Sequence, residues 1–175
     1  DCPYPVYLMN NTQEYKQDNV KLIHVGDDID WSSNVINVLE KLTADNVLVL
    51  LEDFLLCQDV STQWILQLEQ AMRDHKADFL RLVPKPAADT VLDESLHIGE
   101  RKQGSDYRIS FQAGLWRREA LIKVLLPGES AWQAEILGTK RCDKFNYKTL
   151  SLTQMHKTQW PIRYKNSIIN RKWTP

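Results

Sequence analysis

Glu52 and Asp53 stand side by side in an otherwise unbroken apolar run, NVLVLLEDFLL, from Asn46 to Leu56. Two adjacent carboxylates in such a run either close an acidic turn or mark the edge where an open α/β sheet binds a ligand. Burying an unpaired carboxylate is costly, so the pair is expected where a strand gives way to a crevice rather than inside a sheet. A single basic residue, Arg81, interrupts a second apolar segment, DFLRLV from Asp78 to Val83, and must either reach an acid or face a ligand. Glu135 lies close after Ser130 and Trp132, at what reads as a helix start, where a carboxylate also answers the helix dipole or closes a capping box.

The elements that must position these groups follow from periodicity and turn residues. The run from Asn46 to Leu56 is apolar on both faces, which predicts a strand in the middle of a sheet covered by helices. Ahead of it, Pro5–Asn10 and Val20–Val25 read as strands. His24 in the second is expected to be a hydrogen-bonded strand side chain, because nothing near it has metal-ligand spacing. Ser32 or Ser33 is expected to cap a helix whose apolar face takes Val35, Val38, Leu39 and Leu42. This strand, helix, strand unit predicts parallel pairing with a right-handed crossover, and the helix start points amides and a positive dipole end toward the crevice, as suits a phosphate.

Beyond the acids, Ser61 or Thr62 is expected to cap a helix with a core stripe of Trp64, Ile65, Leu68 and Met72. Asp78–Val83 reads as a strand stopped by Pro84 and Pro86. Residues 87–106 are expected as a surface excursion with one short strand at Leu96–Ile98. A strand beginning at Tyr107, a helix over Arg117–Leu126 broken by Pro127 and Gly128, and a short helix after Ser130 follow. Strands at Thr149–Thr153 and Ile162–Tyr164 and a polar, aromatic stretch, SIINRKWTP, complete the reading.

The 175 residues suit one domain with a real core. Twenty-two basic residues against 23 acidic ones, with no basic block, exclude the electrostatic footprint of a general nucleic-acid binder. No apolar run approaches the ~20 residues that span a bilayer, so a soluble protein is expected. Cys2, Cys57 and Cys142 are odd in number and widely spaced, against a disulfide framework or a zinc site and in favour of a reducing cytoplasm. The sequence opens at Asp1, without Met, and leads straight toward a strand, so an earlier segment is expected.

Three segments together resemble a family of bacterial sugar transferases of the GT-A type from surface-polysaccharide gene clusters. They are LLEDFLL; the series Tyr107, Arg108, Ser110, Gln112 and Trp116; and Pro127, Gly128, Glu129, Trp132 and Glu135. The helix start Trp31, Ser32, Asn34 and the strand end Arg81, Leu82, Pro84 are also similar. The resemblance spans about Pro3 to the C-terminus.

It implies a Rossmann-like GT-A domain over residues 1–175, a mostly parallel sheet flanked by helices, with its first, nucleoside-clasping strand lacking. It implies a glycosyltransferase that uses a nucleotide-sugar donor and a saccharide or lipid-linked acceptor, with peripheral membrane association compatible. Mn²⁺ or Mg²⁺ would be held by Asp53 first and Glu52 second, although the family usually shows two aspartates there. By the same resemblance Glu135 is the general base and Glu129 the reserve. Trp31, Ser33, Asn34, Arg81 and Gln112 would line the donor. Trp132 could stack on a sugar face, while Trp116 reads first as core packing. The alternative is a non-catalytic saccharide-binding or assembly module of the same fold.

Overall fold

This structure, a computed structural model of the chain, describes residues 2–169 and 172–173. β1 (Val6–Asn10) and β2 (Val20–His24) pair in parallel as a two-stranded sheet of their own. Helix α1 (Trp31–Lys41) buries Val35, Val38 and Leu39. Then come β3 (Asn46–Val49), a turn carrying Glu52 and Asp53, and β4 (Phe54–Leu56). The chain continues through α2 (Thr62–Asp74), β5 (Phe79–Arg81), β6 (Thr90–Asp93), β7 (Ile98–Arg101), β8 (Gly114–Arg117), α3 (Arg118–Val124), α4 (Ala131–Lys144), β9 (Thr149–Leu152) and β10 (Tyr164–Asn166).

The main sheet is mixed, in the order β3-β8-β5-β9-β7-β6. β5 and β9 pair in parallel, and the other four contacts are antiparallel. The expected mostly parallel sheet is therefore corrected to a mostly antiparallel one. Two features cause this. β8 returns between β3 and β5 in the opposite sense to both. The 87–106 stretch, expected as a surface excursion, folds as the β6–β7 hairpin and adds two more antiparallel contacts. Polarity survives in one respect: β3 and β5 both oppose β8, and β9 follows β5, so the carboxyl ends of β3, β5 and β9 share an edge.

The run expected as a central strand is instead an edge strand, and it divides at the acid turn. β3 pairs with β8 alone in the main sheet, whereas β4 pairs antiparallel with β10 in a separate ribbon. Val47 and Val49 pack on the core while Leu48, Leu50, Leu55 and Leu56 are exposed, so apolar character on both faces did not mean burial on both. β2 and β3 lie in different sheets, which removes the expected parallel pairing across α1.

Two clusters of buried side chains lie on the two faces of the sheet, as the alternation of Phe79 and Leu80 requires. Leu80, Leu82, Leu115 and Leu150 join Leu68 and Met72 of α2. Phe79, Phe111 and Trp116 join Leu39 of α1, Leu121 and Val124 of α3, and Ala134 of α4. Trp116 is fully buried, its ring centroid 4.3 Å from that of Phe79, which fits its reading as core packing. Gly99 of β7 is forced by close approach: a Cβ there would sit 1.9 Å from the Thr90 carbonyl oxygen of β6. No helix among the described residues is long and apolar enough to cross a membrane.

Candidate functional site

The acid turn leaves the carboxyl end of β3, on the edge shared by the ends of β5 and β9. The β4–β10 ribbon holds it from the C-terminal side. Asn166 pairs with Phe54, and its side-chain amide donates to Asp53 Oδ2 across 2.9 Å. The Ser167 N–H donates to the Asp53 carbonyl oxygen at 2.7 Å. Two residues up the ribbon, the Tyr164 ring stacks on Phe54 with centroids 3.8 Å apart and planes 12° apart. Asp53 is thus half-buried and fixed, whereas Glu52 is exposed.

Glu135 is placed by α4. Ser130 caps this helix in a capping box with Gln133, and α4 runs 14 residues, longer than the short helix expected. Because Gln133 fills the box, Glu135 is not its carboxylate. Instead Glu135 Oε1 accepts the Phe111 backbone N–H at 2.7 Å. One and two turns later Thr139 Oγ1 accepts from the Ile109 N–H at 3.5 Å, and Asp143 takes the Arg108 guanidinium. The polar edge of α4 therefore supplies partners that a sheet neighbour would otherwise supply. This explains why residues 107–113, expected to start a strand at Tyr107, run irregularly until β8 begins at Gly114.

The electrostatics of Glu135 follow from this position. Burial pushes its carboxyl above the ordinary range, and the Phe111 amide and the Arg81 charge pull the other way. Arg81, at the end of β5, is fully buried and donates to the carbonyls of Lys85, Pro86 and Tyr107. Its partners are backbone oxygens rather than an acid. Burial, then repulsion from Arg101, lowers its pKa to about 10, which leaves it cationic at neutral pH. Tyr164 lies within electrostatic reach of Asp53, Arg81 and Glu135, and burial raises its phenol to about 12. Among the described residues, Arg81 Nε, Ser110 Oγ and Gln112 Oε1 are buried without hydrogen-bond partners. Trp132, one turn before Glu135, is 65% exposed.

Other candidates separate into neighbours and struts. Trp31 meets Phe111 edge-on at 4.4 Å, which brings the start of α1 beside the Glu135 segment. Asp30, rather than Ser32 or Ser33, caps α1: its carboxylate takes the Ser33 N–H at 2.8 Å and the Ser33 hydroxyl at 2.6 Å. Those bonds hold its pKa below the usual carboxylate value. The Asn34 side chain donates to Asp28. Ser33 and Asn34 are thus occupied by acids of their own loop, and the helix start already holds an anion. Glu129 is buried, with both oxygens taken by Arg141, and it acts as a strut between the loop before α4 and α4 itself. A surface concavity of about 500 Å³ around Asp45, Asp78 and Arg117 lies at the opposite edge of β5, away from this set.

Among the described residues no group of three His, Cys, Asp and Glu side chains gathers as a metal site. Asp53 and Glu52 alone fit a cation only if its remaining positions are filled by diphosphate oxygens and water, the usual habit of Mg²⁺. No protein-family model matches the chain, and no curated protein matches it.

Residue-by-residue reading missed Phe111, Tyr164 and Asn166. Phe111 contributes a backbone amide, which no side-chain pattern reveals. Tyr164 and Asn166 alternate onto one face of YKN, a signal that was present but lacked a partner strand to give it meaning.

Proposed function

We propose that the chain is a glycosyltransferase of GT-A type. It would move a sugar from a nucleotide-sugar donor to a saccharide or lipid-linked acceptor, with a divalent metal, on the cytoplasmic side of surface-polysaccharide synthesis. The observation that carries this reading is Glu135: a half-buried carboxylate held by the Phe111 amide and within electrostatic reach of Arg81 and Tyr164, the latter stacked on the turn that presents Asp53. Carboxylates held apart in contrasting environments suit separate roles in group transfer.

In this reading Asp53 and Glu52 hold Mn²⁺ or Mg²⁺, which when bound offsets the charge that develops on the leaving nucleoside diphosphate. Glu135 takes the proton of the acceptor hydroxyl on its second oxygen, while the Phe111 amide fixes the first. Trp132, exposed one turn earlier, offers its face to a sugar ring. Arg81 acts on Glu135 through charge and holds the loop carbonyls around it.

The test is release of nucleoside diphosphate from a panel of UDP-, GDP- and dTDP-sugars, with and without Mn²⁺, for the wild type, Asp53→Ala and Glu135→Gln. Metal-dependent turnover lost in both variants is expected. Turnover that both variants retain would remove the site assignment.

A second reading, a non-catalytic saccharide-binding or assembly module, draws on the start of α1, where Asp30 already occupies the position a donor phosphate would take. Glycan binding by calorimetry, indifferent to nucleotide and metal and with no turnover in the panel, would select it.

A further inference from the structure

Three contacts join the acid turn to the Glu135 segment through one side chain. The Tyr164 ring lies flat on Phe54, the neighbour of Asp53. Its body packs on the core cluster that contains Ala113. Its hydroxyl faces the Ala113 backbone N–H, two residues from the Phe111 amide that Glu135 holds. On the other flank, the Ala113 carbonyl accepts the Leu82 N–H at 3.0 Å, one residue past Arg81. Residues 111–113 are therefore gripped by α4 through Glu135, by the end of β5 through Leu82, and by β10 through Tyr164.

We propose that Tyr164 is a positioning residue that sets the placement of Asp53 relative to Glu135, so that β10 works as a clasp between the acid turn and residues 111–113. The ring fixes the acid turn by stacking, and the hydroxyl fixes the segment that orients the Glu135 carboxylate. Asn166 and Ser167, which bond Asp53 directly, secure the same ribbon one step further on. The role in turnover rests on the glycosyltransferase reading, whereas the mechanical link does not.

Two variants separate the halves of the device. Tyr164→Phe keeps the stack on Phe54 and removes the hydroxyl, and Phe54→Leu removes the stack and keeps the hydroxyl. Hydrogen exchange at the Phe111 and Ala113 amides, read by NMR, is expected to speed up about tenfold in both variants, as loss of one modest contact allows. Exchange in α2 should stay unchanged. If Phe54→Leu leaves both amides within about twofold of wild type, no link joins the acid turn to residues 111–113 and the proposal is overturned.

Where the donor panel gives turnover, Tyr164→Phe is expected to lower kcat while leaving the donor KM within about twofold, as misplacement of a base does. An equal loss in unrelated surface variants, or a pure KM effect, would overturn the positioning role. Absence of turnover in the wild type would sink the glycosyltransferase reading but leave the exchange result to decide the clasp.

Discussion

The Phe111 backbone N–H donates to Glu135 Oε1 across 2.7 Å, tying the irregular segment ahead of β8 to the second turn of α4. Glu135 therefore has a structural duty that can be separated from any chemical one. In Glu135→Gln the amide oxygen still accepts from Phe111, and the unfolding midpoint should match or exceed that of the wild type. Glu135→Ala leaves the amide unmet and should cost about 1–3 kcal/mol in urea unfolding. On the proposed glycosyltransferase reading, turnover should instead fall by about 100-fold or more in both variants, the usual contribution of a positioned base. Equal stability in the two variants would refute the structural duty.

The pH dependence has a definite sign. Burial raises the Glu135 carboxyl, so the folded protein binds this proton more tightly than the unfolded chain does. The stability that protonation confers is complete below the ordinary value of 4.5 and is lost as pH rises through the raised value. The stability advantage of Glu135→Gln over wild type should therefore grow between those two points and stay flat above them. Urea midpoints for both proteins across that interval measure it. A difference that shrinks with rising pH would show that Glu135 is not desolvated.

Glu129, which is buried, and Arg141, which is half-buried, form a two-pronged ion pair. Removing one partner strands the other, and Glu129→Ala should cost about 3–5 kcal/mol. Replacing both, as Glu129→Leu with Arg141→Met, should recover much of that loss, because an apolar pair leaves no charge uncompensated. Denaturant titration of the two single variants and the double variant closes the cycle. Additive losses would argue against the coupling.

Gly99 of β7 lies so close to Thr90 of β6 that no Cβ fits between them. A methyl group at that position cannot coexist with the Thr90 carbonyl 1.9 Å away, so Gly99→Ala must push β6 off β7 at a cost of about 3 kcal/mol. Hydrogen exchange should show β6 opening while β5 and β9 stay protected. Unaltered protection of β6 would refute the clash.

What could be read in advance divides along physical lines. Helix stripes such as Leu68 and Met72, and the Ser130 cap, depend on neighbours within a few residues, and they emerged as expected. The Asp30 cap is also local: Asp ranks with Ser at this position, and its carboxylate competes with the Ser32 and Ser33 hydroxyls for the same free amides. The sheet failed for a different reason. Nothing within NVLVLL says whether its second face meets a helix or solvent, and β8, more than sixty residues later, decides it. At the site, the acids announced themselves by type. The groups that orient them, an amide at Phe111 and the ring of Tyr164, acquire meaning only once distant strands have paired.

The β4–β10 ribbon has a consequence for the order of folding. The bond between Asn166 and Asp53 spans 113 residues, so its partners meet only after the intervening sheet and helices have brought the ends together. During synthesis, the acid turn stays unclasped until the chain beyond Ser167 has left the ribosome, even if β5, β8 and α4 are already in place. Any ligand held through Asp53 would then meet a finished site only after β10 has emerged and paired with β4, which keeps the half-made chain from engaging it.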